Sequence, residues 1–194
     1  NIGCAGNRIG INRPIRCTIN PAVAEGEDYK KHKISKPCNV VVVGGGTAGM
    51  EAACTAAEVG CTTFLIEKKP YLGGLAAEIS KIPDKKRLSD FPNYMIHRTN
   101  KLKNLFSFTN MEADVNFIRN LKPNIIVNAT GSSPLLPPIS GLHENLGKEG
   151  SHVYSILDMI EHVNSSDYPE DMTGKKVVVI GGGVDNSASA TSAI

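Results

Sequence analysis

The chain has 194 residues, of which 41% are hydrophobic and 21% are charged, a balance typical of a folded globular protein rather than a disordered one. Its formal net charge of +2 gives no electrostatic case for binding nucleic acid or an anionic membrane surface. No apolar run approaches the roughly 20 residues that a membrane-spanning helix needs.

Residues 1–37 show no sustained periodicity, and we expect them to form a separate segment. Its second half, from Glu25 to Pro37, is rich in charged residues and is typical of a solvated connector. The start of the chain lacks the basic and then apolar pattern of a secretory signal. Five cysteines are an odd number in a chain too long to need disulfide staples, so we expect a reduced, cytoplasmic protein.

The next residues predict a βαβ unit. Residues 39–43 are a valine-rich run ended by three glycines, as expected of a strand that is buried on both faces. Apolar residues then recur at helical offsets, and Gly60 supplies a stop. These apolar positions are Met50, Ala53, Cys54 and Ala57. A second strand is predicted over 61–67, and this succession is typical of a parallel α/β sheet.

Further elements and one internal repeat follow. The predicted elements are a helix over 115–121 that ends before Pro123, a strand over 124–127 and a helix over 156–163. Residues 175–180 then run into a second triple glycine and repeat the pattern at residue 39. Because a βαβ unit needs about 30 residues, this second unit cannot be completed, and we expect the sequence to be cut from a longer protein.

The first glycine loop has the spacing Gly44-x-Gly46-x-x-Gly49 between a strand and a helix. In dinucleotide-binding folds these glycines permit a tight turn, close approach of a pyrophosphate and packing of helix on strand. The helix N-terminus offers free amides to the phosphates. Glu67, at the end of the next strand, can accept both ribose hydroxyls of adenosine and would repel a 2′-phosphate. The alternative is a glycine-rich turn in some other α/β protein.

Two more segments resemble flavoproteins that have two dinucleotide-binding domains. Residues 67–74 resemble the segment E-x(3)-x-x-G-G, whose glycine pair runs beside the pyrophosphate and ribitol of FAD. Residues 128–134 resemble the segment A-T-G-x-x-P, which passes close to FAD. No acid–base catalytic residue and no metal ligand is expected among these positions. Together the motifs imply the cofactor-binding residues Gly44, Gly46, Thr47, Ala48, Gly49, Glu67, Lys68, Gly73, Gly74, Leu75, Ala129, Thr130 and Gly131.

The N-terminal segment narrows the resemblance. Residues 2–4 and 16–23 resemble the signature C-I-G-C-x(3)-C … C-T-V-N-P-A-V of 2,4-dienoyl-CoA reductase, 2-enoate reductase and related NADH:flavin oxidoreductases. In that family an FMN-bearing (β/α)8 barrel precedes a four-cysteine segment that holds a 4Fe–4S cluster. An FAD domain interrupted by an NAD(P)H domain then follows.

Two of the four ligand positions of that signature are changed in this chain. Cys4 and Cys17 occupy two of them, whereas Asn1 and Arg8 stand at the others. Asparagine is a poor iron ligand, and arginine cannot be deprotonated to serve as one. We therefore interpret the two cysteines as remnants and expect no 4Fe–4S cluster in this chain.

The second glycine loop also departs from the family pattern. Gly181 and Gly183 are followed by Asn186 at the third glycine position. We expect no complete NAD(P)H site in this chain alone, and we expect the last part of the family's FAD domain to lie beyond residue 194.

The sequence thus predicts an α/β chain with an incomplete Rossmann-like, three-layer FAD/NAD(P)-binding fold, in which helices flank a parallel sheet. We expect a degenerate iron–sulfur-type segment and linker over 1–37. An FAD-binding domain is predicted over 38–175, and the start of a truncated second dinucleotide-binding unit over 176–194.

The resemblance implies the FAD-binding portion of a flavin-dependent NAD(P)H oxidoreductase. Such a portion relays electrons from NAD(P)H toward an FMN barrel that reduces activated C=C bonds. The FMN barrel and the NAD(P)H domain of the parent protein would be its partners, and the isolated chain is expected to be inactive. Two alternatives stay open: a module that holds only ADP, as trimethylamine dehydrogenase-like relatives do at this position, and a structural domain without a cofactor.

Overall fold

The computed structural model describes residues 3–24, 26–164 and 174–180. The chain forms two compact units. The first comprises Asn1–Gly73 and Asp90–Thr130, and the second comprises Gly74–Ser89 and Gly131–Ile194. The domain boundaries proposed from the sequence, at residues 38 and 176, stay predictions.

The first unit is built on a four-stranded sheet in which every neighbouring pair of strands is parallel. The strands are β1 (Asn39–Val43), β2 (Thr62–Ile66), β3 (Leu105–Phe108) and β4 (Ile125–Asn128). Their order is β3-β2-β1-β4, which places β1 between two partners. Val41 and Val42 have no exposed surface, as a continuous valine run predicts.

Helical segments precede, connect and follow these strands. The α-helices are α1 (Gly3–Ala5), α2 (Thr47–Val59), α3 (Gly74–Ser80), α4 (Asp90–Lys101), α5 (Val115–Asn120), α6 (Leu142–Asn145) and α7 (Ile156–Asn164). A π-helical segment spans Gly6–Gly10, and 3₁₀ segments span Gly26–Tyr29 and Pro83–Ser89. The predicted α/β class, a parallel sheet with flanking helices, is thereby confirmed. Among the residues described here, no helix is both long and apolar enough to cross a membrane.

Helix α2 links β1 to β2 and carries the apolar face that the sequence predicts. Its buried residues include Met50, Ala53, Cys54 and Ala57. Gly60 ends the helix in the left-handed conformation, with φ of +111°, and its amide donates to the carbonyls of the last turn. An L side chain rarely adopts this φ, so the predicted glycine stop has a steric cause.

Helix α4, which the sequence pattern does not predict, packs against α2. Met95 is fully buried, and the hydroxyl of Thr99 donates to the Met95 carbonyl at 2.8 Å. The helix contains Pro92 in its first turn, where the missing backbone amide costs no intrahelical hydrogen bond. Side chains of α2 and α4 form one core with Val40 and Val42, which point to the same face of the sheet.

The opposite face of the sheet carries aromatic contacts. Phe64 of β2 and Phe106 of β3 are opposite each other in register and stack with ring centroids 5.6 Å apart. Phe108 meets Phe117 of α5 edge to face at 5.8 Å. Asp114 caps α5 by accepting from the amides of Asn116 and Phe117, which gives the predicted helix over 115–121 a defined start.

The second unit contains α3, α6 and α7, and it includes residues 174–180. Helix α7 coincides with the predicted helix over 156–163, and its Ile160 is buried. Residues 175–180, which repeat the β1 pattern in sequence, carry no strand, and Val177–Ile180 are exposed. Valine content alone does not make a strand, because the backbone amides and carbonyls need a partner strand. The rest of the predicted second dinucleotide-binding unit, residues 181–194, lies outside the described residues.

An ion-pair cluster joins α2, α4 and the connector, and we call it the Arg98 cluster (Lys31, Glu51, Glu58 and Arg98). Arg98 holds Glu58 in a bidentate pair, with Nε–Oε1 at 2.6 Å and Nη2–Oε2 at 2.9 Å. Its Nη1 binds Glu51 Oε2 at 2.5 Å. Lys31 pairs with the Glu58 carboxylate, and Lys33 Nζ donates to the Glu58 carbonyl at 2.5 Å. The hydrogen bonds from Arg98, followed by the one from Lys31, lower the pKa of Glu58 to about 2.

We expect this cluster to make folding sensitive to acid. The pKa of Glu58 is about 2 in the folded chain against an ordinary value of 4.5, so its contribution is complete above pH 4.5 and is lost as the pH falls toward 2. Because the pair is partly exposed, a fall from about pH 6 to about pH 3 should cost about 1–2 kcal/mol of unfolding free energy from this group. Urea denaturation of the wild type and of Glu58→Gln at both pH values measures it. An equal acid loss in Glu58→Gln would contradict the assignment.

Candidate nucleotide-binding site

The turn between β1 and α2 leaves no room for side chains at two of the predicted glycines. Gly44 has φ of +108°, and a Cβ on it would lie 2.2 Å from the carbonyl oxygen of Ala129. A Cβ on Gly49 would lie 1.8 Å from the carbonyl oxygen of Gly44. Both are backbone contacts that a side chain cannot push aside cheaply, so the spacing of the glycines follows from packing between the turn, the helix and the end of β4.

Helix α2 begins at this turn without a side-chain cap. Gly46 is its N-cap, with extended backbone, and the first helical hydrogen bond runs from the Met50 amide to the Gly46 carbonyl at 2.9 Å. The amides of Thr47, Ala48 and Gly49 therefore have no acceptor within the helix. Such amides, together with the positive end of the helix dipole, attract an anion such as a diphosphate.

Glu67 lies directly after β2 and faces the same turn. Only 8% of this residue is exposed. Its Oε2 accepts from the Gly45 amide at 2.6 Å, and its Oε1 accepts from the Lys69 amide at 2.7 Å. Two amides thus fix the orientation of the carboxylate. Each oxygen keeps a further lone pair, which is what two neighbouring ribose hydroxyls would need.

The other predicted residues of the first unit lie on segments that meet this turn. The Gly73 amide donates to the Gly45 carbonyl at 2.9 Å, and the Ala129 amide donates to the Val43 carbonyl at 2.8 Å. Thr130 donates through its hydroxyl to Asn128 Oδ1 at 2.9 Å. Lys68 is exposed beside Glu67. The turn, the segment after β2 and the segment after β4 are therefore brought together.

Three predicted residues belong to the second unit. Gly74 and Leu75 open helix α3, where Gly74 has φ of +54° and half of Leu75 is exposed. Gly131 has φ of +87°, and a Cβ on it would meet no atom within 4 Å. At Gly131 glycine is thus favoured by backbone conformation rather than by crowding.

Sequence reasoning missed two residues of the site: Gly45 in the turn, and Leu72, which packs against it. A Cβ on Gly45 would lie 2.5 Å from Cδ2 of Leu72 and 2.9 Å from Cβ of Glu67. The signal was present in the run of three glycines, because the fingerprint needs only the first and third of them. Leu72 is 8% exposed and closes the turn from the side of the segment after β2.

The two N-terminal cysteines, Cys4 and Cys17, belong to no group of potential metal ligands in the described part of the chain. Cys4 is exposed in α1, and Arg8 donates to Asn12 Oδ1 at 2.7 Å. The backbone amides of Asn20 and Ile19 lower the pKa of the Cys17 thiol. Within the described residues no three His, Cys, Asp or Glu side chains are grouped to hold a metal ion. Asn1 lies outside the described residues, and an arginine at the Arg8 position does not fit a four-cysteine cluster.

Comparison with known proteins gives consistent matches. The sequence model of the FAD dependent oxidoreductase family matches residues 39–101. The chain is 37% identical to NADH oxidase of Thermoanaerobacter brockii over 95% of its own length and 27% of that protein's. It is 33% identical to cinnamate reductase of Clostridium sporogenes over 94% of its own length and 25% of that protein's. The structure of a 2-naphthoyl-CoA reductase matches with a TM-score of 0.70 and 27% identity, over 80% of this chain and 23% of that one.

We expect Gly49→Ala to destabilise the first unit, because the new Cβ would lie 1.8 Å from the Gly44 carbonyl oxygen and the backbone must shift. The expected loss in unfolding free energy is about 1–3 kcal/mol. Gly10→Ala, where a Cβ would meet nothing within 4 Å, is the matched control and should change stability by less than about 0.5 kcal/mol. Chemical denaturation measures both, and equal effects of the two substitutions would contradict the packing account.

Proposed function

We propose that this chain binds FAD within a larger flavin-dependent NAD(P)H oxidoreductase, because it matches the FAD dependent oxidoreductase family over residues 39–101 and resembles enoate reductase-like relatives. The observation that carries this proposal is the uncapped start of α2 at a turn where Gly44 and Gly49 leave no room for a side chain. A diphosphate satisfies such amides without requiring a side chain to enter the turn.

The chain's own residues divide the work of holding the cofactor. The amides of Thr47, Ala48 and Gly49 would bind the diphosphate, and Gly46 would let it approach the backbone. The Glu67 carboxylate, held by the amides of Gly45 and Lys69, would accept the ribose hydroxyls. A carboxylate there disfavours a nucleotide with a 2′-phosphate, which supports FAD or ADP over an NADP-type ligand.

When bound, FAD supplies hydride acceptance and single-electron transfer, while the protein supplies binding, orientation and electrostatics. The proposed role of Lys68, Gly73, Gly74, Leu75, Ala129, Thr130 and Gly131 is to line the rest of the cofactor. No side chain of this chain is assigned a proton-transfer role. We propose no iron–sulfur cluster in this chain, because the residues at two of the ligand positions do not fit one.

The complete activity would need more than this chain. The chain spans about a quarter of the length of the curated relatives it matches. We propose that the remainder of the parent protein supplies an FMN barrel that reduces an activated C=C bond and an NAD(P)H domain that delivers hydride. The cytoplasmic location stays a proposal, which rests on the odd number of cysteines in the sequence.

The second candidate function is that of a module that binds ADP. The division of the chain into two units supports this candidate. The first unit carries Glu67, the β1–α2 turn and the start of α2, which are proposed to bind the adenosine diphosphate part of the cofactor. Gly74, Leu75 and Gly131, proposed for the flavin side, belong to unit two. Parallel titrations with FAD and with ADP separate the two candidates, because only the FAD proposal predicts quenching of flavin fluorescence with micromolar or tighter affinity.

The double variant Gly46→Val, Glu67→Ala tests the site itself. Gly46 has φ of −72°, a conformation that any residue adopts, so valine should block the phosphate approach without straining the backbone. Losing the phosphate approach and the ribose acceptor together should weaken FAD and ADP binding at least about a hundredfold by calorimetric titration. Glu112→Ala, at an exposed position in the same unit, should bind as the wild type does. Unchanged nucleotide binding in the double variant would show that the glycine fingerprint is misassigned.

A further inference from the structure

Arg98 connects two carboxylates that lie two turns apart on the helix proposed to face the diphosphate. Glu51 and Glu58 are separated by about 10 Å along the axis of α2, and the guanidinium of Arg98 contacts both. The side chain of Arg98 is 16% exposed, against 32% for Glu51 and 26% for Glu58. Lys31, the other cation, is 28% exposed, so Arg98 is the least exposed side chain of the Arg98 cluster.

Glu51 is the member that bears on an anion at the start of α2. It lies four residues after Thr47, about 6 Å along the helix axis, and the side chains of a helix lean toward its N-terminus. An uncompensated carboxylate there would oppose the binding of a diphosphate. In the structure Glu51 Oε2 is bound to Arg98 at 2.5 Å, and its Oε1 accepts from Thr55 Oγ1 at 3.2 Å.

Glu58 does not depend on Arg98 alone. Its carboxylate also pairs with Lys31, and its carbonyl accepts from Lys33. The far end of α2 therefore keeps cationic partners from the connector even without the guanidinium. Glu51, by contrast, has Arg98 as its cationic partner among the described ion pairs.

We propose that Arg98 is a positioning residue for the diphosphate site: it holds the Glu51 carboxylate toward α4 and cancels its charge, which keeps the start of α2 attractive to a diphosphate. The inference rests on the proposed function insofar as that function brings a diphosphate to α2. It assigns to α4, which carries none of the predicted cofactor contacts, an electrostatic role in binding.

The sign of the charge change distinguishes this role from a structural one. The four side chains of the Arg98 cluster sum to zero charge. Arg98→Met leaves a net negative cluster behind the diphosphate, whereas Glu51→Gln leaves a net positive one. A purely structural role would predict that both substitutions weaken binding, because each breaks the same ion pair.

Calorimetric titration with ADP and with FAD tests the proposal on the wild type, Arg98→Met, Glu51→Gln and the double variant. Arg98→Met should weaken ADP binding on the order of three- to tenfold at low salt, and the difference should shrink at physiological and higher salt. Glu51→Gln should bind ADP as tightly as the wild type or more tightly. The double variant should recover most of the wild-type affinity.

Each outcome decides the matter. A loss of affinity in Glu51→Gln similar to that in Arg98→Met would overturn the electrostatic role, and so would a folded Arg98→Met protein with wild-type affinity. If Arg98→Met does not fold, as judged by circular dichroism, the sign of the Glu51→Gln effect decides alone. Binding of ADP but not FAD by the wild type would overturn the FAD proposal and leave this inference standing. Binding of neither would remove both.

Discussion

The structure depends on a backbone approach that only glycine allows. At the edge of the sheet where the parallel strands end, the carbonyl of Ala129 occupies the place that a Cβ on Gly44 would take, and the carbonyl of Gly44 occupies that of a Cβ on Gly49. These contacts bring the end of β1, the start of α2 and the segment after β4 within one turn. The same edge receives Glu67 at the end of β2, because neighbouring parallel strands end together.

This packing also determines which charged and polar groups lie at the site. The crowded turn leaves no side chain to cap α2, so its first amides are open to an anion. The one carboxylate at the turn, Glu67, is already held by two amides and can present its remaining lone pairs to hydroxyl groups. A second carboxylate, that of Glu51 on α2, pairs with Arg98 of α4. This arrangement would suit a nucleoside diphosphate group whose ribose hydroxyls are unmodified.

Much of the first unit could be predicted from local sequence, because its signals are short in range. The valine run predicts β1, and Gly60 predicts the end of α2. The helix itself is predicted by the spacing of its apolar residues, Met50, Ala53, Cys54 and Ala57. Gly44 and Gly49 are recognisable from their spacing; the steric demand on Gly49 arises at Gly44, a few residues away, whereas that on Gly44 arises at the distant Ala129. The membership of Glu67 in the site follows from the length of the βαβ unit.

The remainder could not be predicted, for identifiable reasons. Helix α4 contains Pro92 and a polar surface, and β3 has only four residues, so neither shows clear periodicity. Arg98 meets its two carboxylates 40 and 47 positions away in sequence, a separation at which no spacing rule applies. Residues 175–180 show the converse, since they repeat the β1 pattern and yet lie exposed without a strand partner in the part of the chain described here. Hydrophobic pattern predicts a strand only where the fold also provides neighbours.

The central claim is that this chain holds FAD, and the most direct measurement is an anaerobic absorbance spectrum of the purified protein after incubation with FAD and gel filtration. Chromatography of the nucleotides released by heat should follow. A yellow protein that releases FAD in near-equal amount to the chain is the predicted result. A colourless protein that releases no FAD would contradict the claim, and release of ADP in its place would identify the adenine-nucleotide module instead.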